Sequence, residues 1–529
     1  AGAAYKVGGV DIPTADVTGA GTTWTVKLPT TAKSGKLAAN VGTIAAINNT
    51  NNNDKPYNKG AKTANNDKLT DDVELDVWQF NSEAAKPSNG HITDAVMKIN
   101  PVSGFLGFAF ANGADLFSMP SSDKSYKKRQ RNWDDYGSVG LAYGADGIAH
   151  AVAAARDTNY KNYLSGGNRN AAGPFTYFSS STPSANIDDA DGGYDGASGW
   201  RLESLGTPAT NAVINKNRIQ SPSFAISATG VYLAYYDEIN NQIRFRHKGQ
   251  MDQHSVQNRP KEAPAEDYSL IAGGSTGNSA GNFVSIAVKS GTTQADDVVV
   301  AVWYTGTDLV YAYKIDPAND NDASSNPASP LPAGYWSKPV KIFENAGEYC
   351  QIAVDKAGGV HIAAYHGIKA DLLYAFIPSP TESSKVTKCT VDSYGIVGTN
   401  ITLDVAYTAV GGKPVPYIGY YADFAVRPKL AYLVIPETIP SDFAQAPDGA
   451  DENGKMSGKW EIAFVPTESR TSGNRINVGV WKNNGIITDS TTGTSSSDTS
   501  EGKVYGNGTS NPVLGYVTKK GYIETAQKK

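Results

Sequence analysis

An all-β fold is predicted by three observations on this chain of 529 residues. Windows of a dozen residues with apolar positions at i, i+3 and i+4 are rare, and Gly or Pro interrupts most of them. Apolar runs of strand length recur in clusters separated by polar, turn-forming loops. The clusters also share one internal order, a hairpin of two apolar runs, most of them hinged on glycine, that returns seven times.

The hairpins are read at residues 95–110, 140–152, 223–236, 285–304, 351–365, 402–421 and 477–517. A third short run follows each, beginning at Leu116, Phe175, Ile243, Leu309, Leu372, Leu430 and Tyr522. A fourth opens on tryptophan after several of them, at Trp200, Trp336 and Trp460. Four antiparallel runs repeated seven times imply a seven-bladed β-propeller with four-stranded blades. Small residues at Ala151, Ala234, Ala301, Ala363, Gly419 and Gly515 fit the tapered centre of such a ring. The last unit stops after its third run. Val73–Phe80, which carries Trp78, is expected to supply the missing outermost strand, since an unclosed edge is a liability. Pairing of that segment within the first blade is the alternative.

Residues 1–60 lie outside the repeat, and residues 70–529 form the expected propeller domain. The stretch Ala15–Pro29 looks like a hairpin, with Trp24 and Val26 on one face. It resembles the middle of a bacterial immunoglobulin-like domain without its first strands, hence a partial unit followed by a polar linker. The chain as a whole resembles the propeller module of a repetitive bacterial cell-surface protein, through small residues and tyrosines that recur around each hairpin glycine. That resemblance implies an extracellular, cell-surface location.

Composition narrows the partners. Charged residues make up 19 % and the net charge is −5, so nothing favours nucleic acid or an anionic membrane surface. No apolar run approaches the roughly 20 residues of a membrane span. Two cysteines in a secreted chain normally pair. Cys350 and Cys389 fall on the first and fourth strands of one blade, about 14 Å apart by strand spacing, too far for a disulfide. Free buried thiols are expected.

No catalytic residue is nominated. Glycoside hydrolysis needs two carboxylates about 5–9.5 Å apart, and no motif singles out a pair. Asp355 and Asp404 are the acids on inner-strand segments, and Asp355 reads as a turn cap. A sialidase-type repeat is matched only by Gly21, Thr23 and Trp24, with Gly19 where its aspartate belongs. His361 and His366, five residues apart on one strand, face opposite ways and cannot share a metal. Calcium is the candidate ion, at Asp189, Asp191 and Asp195 around two glycines, although Ile187 replaces the first acid of a full loop. Candidate ligand-binding residues are Arg129, Arg131, Trp133 and Tyr136 in a basic, aromatic segment, and Tyr194 beside the acidic turn. The plain alternative for that segment is a solvated loop partly neutralised by Asp134 and Asp135. The function expected is a non-catalytic adhesion or binding module that takes a glycan or protein through its loops. A self-associating structural subunit and a glycan-cleaving enzyme are the alternatives.

Overall fold

The computed structural model describes residues 136–155, 175–180, 200–204, 219–247 without 239, 269–317, 328–407, 414–434, 459–465, 472–480, 512–518 and 523–528, with Ile92 and shorter strands before residue 130. Strands dominate these residues, and the helices among them are single 3-10 turns such as Gly274–Thr276. No helix among them is long and apolar enough to cross a membrane.

Among the described residues, six four-stranded antiparallel sheets pair each strand with the next in sequence, and a seventh does so for three strands before taking its outer one from earlier in the chain. Sheet 1 holds Asp94–Ile99, Leu106–Ala111, Leu116–Ser118 and Lys127–Arg129; sheet 2 holds Tyr136–Tyr143, Ala149–Ala155, Phe175–Ser180 and Trp200–Ser204. Sheet 3 holds Ile219–Ile226, Val231–Asp237, Gln242–His247 and Ser269–Ala272; sheet 4 holds Ser285–Lys289, Val298–Tyr304, Leu309–Ile315 and Val340–Phe343. Sheet 5 holds Ala346–Val354, Val360–His366, Asp371–Ile377 and Thr387–Asp392; sheet 6 holds Val397–Tyr407, Pro414–Ala422, Arg427–Val434 and Lys459–Phe464. Sheet 7 orders Ser472–Val480, Pro512–Thr518, Ile523–Lys528 and then Trp78–Ala85.

First strands of successive sheets lie side by side, the arrangement of propeller blades about a centre. Side chains link them. The Ser223 hydroxyl accepts from the Ile286 amide (3.0 Å), and the Ser285 hydroxyl accepts from the Ile352 amide (3.2 Å). The first strands of sheets 3, 5 and 6 also break register near their starts, at Gln220/Ser223, Glu348/Gln351 and Thr399/Thr402. The bulged residues Ser221, Tyr349 and Asn400 have φ of 51°, 55° and 50°, and Phe283, just before the first strand of sheet 4, has the same conformation with φ 59°.

Apolar residues fill the seams between sheets. In Val298–Tyr304, Val299, Ala301 and Trp303 pack towards sheet 3, while Val300 and Val302 pack towards sheet 5. A strand buried on both faces needs a continuous apolar run rather than strict alternation, which is why its sequence reads VVVAVW. Each buried Val, Leu or Ile contributes about 1.5–3 kcal/mol relative to exposure.

Several boundaries differ from the sequence reading. The strand expected at 73–80 starts later: Trp78–Ala85 pairs with Ile523–Lys528. Glu74–Leu75 pairs instead with Gly35–Ala39, within a small sheet that also contains Tyr5–Val7 and Val10–Ile12. Val17–Ala20 and Thr23–Val26 form the hairpin read around Trp24. Trp336 does not open a fourth strand. It makes an isolated bridge to Lys314, and the strand proper begins at Val340, after Pro339, which has no amide to give to the ladder.

Candidate functional site

Buried polar clusters first suggest chemistry, yet each is sealed. Asp355 Oδ1 accepts from the Gly359 amide (2.9 Å), and Oδ2 lies 3.1 Å from His361 Nε2. His361 Nδ1 is 2.5 Å from the Tyr374 hydroxyl. The side chains of His361 and Asp355 are 1 % and 2 % exposed, so no substrate reaches them. Asp355 caps its turn as expected, and its second oxygen also meets His361. Burial pushes its carboxyl up, but His361, by hydrogen bond and charge, and the Gly359 and Ala357 amides outweigh burial and hold it below its ordinary value. A carboxyl depressed in the folded state stabilises the fold above the unfolded value, near pH 4, and that stabilisation is lost as pH falls through the folded value. The expected result is an acid-side loss of stability below about pH 4 that His361→Gln makes shallower, measured by thermal melts from pH 2 to 7. An identical acid limb in the variant would refute the pairing.

Exposed apolar side chains point elsewhere. Of the eight large hydrophobics exposed among the described residues, seven belong to sheets 5 and 6 or their connecting turns: Ile368, Tyr394, Ile396, Phe424, Val426, Ile462 and Phe464. Their setting follows from three turns. His366–Ala370 joins the second and third strands of sheet 5, Asp423–Val426 does so in sheet 6, and Ser393–Ile396 connects the two sheets. Backbone bonds knit them, from the Val397 amide to the Ala370 carbonyl (3.0 Å) and from the Asp423 amide to the Ile396 carbonyl (2.9 Å).

Tyr394, 74 % exposed, and Phe424 meet edge to face, with centroids 5.3 Å apart and planes at 82°. Gly395 permits that contact. Its φ is +83°, and a Cβ there would come 2.5 Å from Phe424 Cδ1. Thr399 donates its hydroxyl to Asp423 Oδ2 (2.7 Å), fixing a carboxylate next to Phe424.

A buried ion pair forms the floor. Asp392 Oδ1 accepts from the Tyr394 amide (3.1 Å); Oδ2 accepts from the Tyr420 hydroxyl (2.6 Å) and from the Lys429 ammonium. The side chains of Lys429 and Asp392 are 3 % and 4 % exposed. The ammonium lies 4.8 Å from the Phe464 ring centre, 5.7 Å from Tyr420 and 6.0 Å from Phe424. Burial, then the neighbouring Asp392, raises the Tyr420 hydroxyl well above its usual value, so it stays a donor.

Outward along the same seam, Ile462 and Phe464 face the groove between the outer strands of sheets 5 and 6. The next seam is closed at the equivalent place, where Lys388 of sheet 5 lies over Phe343 of sheet 4 at 5.6 Å. Cys389 is half-buried beside the open groove and Cys350 is buried; both are free thiols, and Cys350 donates to the Phe283 carbonyl.

The residues singled out from sequence fall mostly elsewhere. Arg129 ends the fourth strand of sheet 1 and Tyr136 begins the first strand of sheet 2. Arg131, Trp133, Tyr194, Asp189, Asp191 and Asp195 lie outside the described residues. No group of three acids, histidines or cysteines among the described residues could hold a metal ion. Tyr394 and Phe424 were missed, although an available signal marked Phe424. Phe424 is an apolar residue in a tight turn whose counterpart in sheet 4 reads Thr305, Gly306, Thr307 and Asp308.

No protein-family model matches the chain, and no curated protein does. Among solved structures it is similar to a mutant of AofleA from Arthrobotrys oligospora, at 8 % identity and a TM-score of 0.39, over 76 % of this chain and 93 % of that one. The six-bladed, fucose-recognising lectin of Aleuria aurantia gives 8 % identity and 0.36 over 74 % and 90 %. The Trypanosoma rangeli sialidase gives 10 % and 0.38 over 77 % and 57 %. Likeness this distant decides nothing about the site, which rests on the chain's own residues.

Proposed function

We propose that the chain is a non-catalytic, cell-surface binding module that holds a glycan at the seam of sheets 5 and 6. In this reading the seven sheets are the blades of one ring, with Trp78–Ala85 as the strand that closes it. The carrying observation is the gathering of seven of eight exposed large hydrophobics at that seam, over a buried, fully engaged floor. Monomeric surfaces seldom collect apolar residues without a ligand to cover them. Tyr394 and Phe424 present perpendicular rings to the C–H face of a pyranose, while Asp423 and Thr399 offer partners to its hydroxyls. Binding without cleavage is favoured because the acids beside the rings, Asp392 and Asp423, already accept bonds from protein donors.

A glycan array probed with the purified chain tests this. Sub-millimolar hits are expected, weakened at least tenfold by Tyr394→Ala without a change in melting temperature, and weakened likewise by Phe424→Ala. Tyr394 is 74 % exposed, so its loss should leave the fold intact and serves as the cleaner of the two variants. An array without hits, or hits indifferent to both changes, removes the proposal. Hydrolysis of the bound sugar, abolished by Asp423→Asn, would replace it with the enzyme reading, and concentration-dependent polymerisation with the structural-subunit one.

A further inference from the structure

Carboxylates gather around Tyr365, beside the Tyr394–Phe424 pair. Glu348 pairs with Tyr365 across the first two strands of sheet 5, and Asp371 stands one place before Leu372, the partner of Tyr365 on the third strand. Burial first, and then Glu348, Asp423, Tyr349 and Asp371, push the Tyr365 hydroxyl above its ordinary value. The turn that carries Tyr394 is tied between two of these acids. Its neighbour Val397 gives its amide to the Ala370 carbonyl, next to Asp371, and its Ile396 carbonyl takes the Asp423 amide. Rings line the same place: Tyr349 lies 6.3 Å from Tyr365 and 4.7 Å from Phe283, centre to centre.

Asp371 differs from its counterpart in sheet 4. It is 9 % exposed, and its carboxylate has no hydrogen-bond or ion-pair partner among the described residues. Buried polar groups are nearly always satisfied, so this one calls for a partner. Asp308 also stands one place before a leucine that pairs with a tyrosine, and it is engaged twice. It accepts from the Asn345 amide (3.1 Å) and lies 3.2 Å from the Lys341 ammonium. Sheet 5 has Thr390 where sheet 4 has Lys341, so that base is missing. Glu348 likewise has no partner among the described residues, and Lys369 and Arg427, bases close by in the sequence, form no ion pair there. No three of these acids come close enough to share a metal ion. They suit a larger, organic cation.

We propose that the sugar held at this seam carries a free amino group, whose ammonium is received by the rings of Tyr365 and Tyr349 among the carboxylates of Glu348, Asp371 and Asp423. Carboxylates give an ammonium charge-assisted hydrogen bonds, and aromatic faces add cation–π attraction. This inference rests on the glycan reading and names the class of sugar, an unacetylated amino sugar rather than a neutral or acidic one.

Glucosamine oligomers and N-acetylglucosamine oligomers of equal length, titrated calorimetrically into the purified chain in mildly acidic buffer, are the matched probes. The amino form should bind at least tenfold tighter, and added salt should erode that preference. Glu348→Gln and Asp371→Asn should each remove most of it, whereas Tyr394→Ala should weaken both oligomers alike. Glu348 is only half-buried, so Glu348→Gln keeps the test decisive if Asp371→Asn disturbs the fold. The inference is overturned if the acetylated oligomer binds as tightly, or if Glu348→Gln leaves the preference intact. It is also overturned if neither oligomer binds while the array gives neutral sugars that need Tyr394, and the glycan reading then stands without it. An array with no hits at all removes both.

Discussion

Lys429→Met is expected to destabilise the fold by about 3–5 kcal/mol, the usual result of removing one partner from a buried ion pair. Asp392 would then be left with a carboxylate almost wholly out of water, its remaining donors being the Tyr420 hydroxyl and the Tyr394 amide. Methionine keeps most of the volume and the contacts with Phe424 and Phe464, so the loss isolates the charge rather than the packing. Adding Asp392→Asn should recover part of it, because an amide costs less to bury than an unpaired carboxylate. Guanidinium unfolding of the two single variants and the double gives the coupling. If Lys429→Met loses less than about 1 kcal/mol, the pair is not the structural floor described, since exposed pairs are worth about that or less. Glycan binding should also fall in Lys429→Met, as Tyr394 hangs by its amide from Asp392.

Asp297→Ala should lose about 2–4 kcal/mol, from polar groups left without an acceptor at about 1–3 kcal/mol each. Asp297 is fully buried, and its partners are four neutral donors. Oδ2 accepts from the hydroxyls of Ser227 (2.5 Å), Tyr232 (2.7 Å) and Thr229 (3.1 Å), and Oδ1 from the Gly291 amide (2.7 Å). Three of those donors belong to the inner hairpin of sheet 3, so one carboxylate of sheet 4 fastens two neighbouring sheets. Tyr232→Phe in the Asp297→Ala background should cost less than it does in the parent chain, because its hydroxyl has already lost its acceptor there. Additive losses in chemical denaturation would show that the hydroxyl and the carboxylate do not act together.

The repeat was legible because each sheet solves the same packing problem. Small residues such as Ala234 and Ala363 must sit on buried second strands, and glycines such as Gly358, with φ +92°, must turn the hairpin. Both requirements act locally, within about fifteen residues of chain. Boundaries were less legible where a proline or a competing partner intervened. Pro339 delays the fourth strand of sheet 4, and Gly35–Ala39 takes Glu74–Leu75 from the strand expected at 73–80.

The candidate site was not legible for a different reason. His361 and Asp355 look like chemistry when written in a line, and the fold closes them inside a seam. Tyr394, Phe424 and Phe464 look like ordinary aromatics, and the fold leaves them in water around a buried ammonium. Sequence by itself determined the all-β class, the repeated hairpin and most strand positions, because periodicity and turn chemistry are properties of neighbouring residues. Tertiary structure alone decided which seam is covered and which is open. Exposure depends on what sits across a gap, and Lys388 over Phe343 is a meeting of residues 45 positions apart that no local pattern encodes.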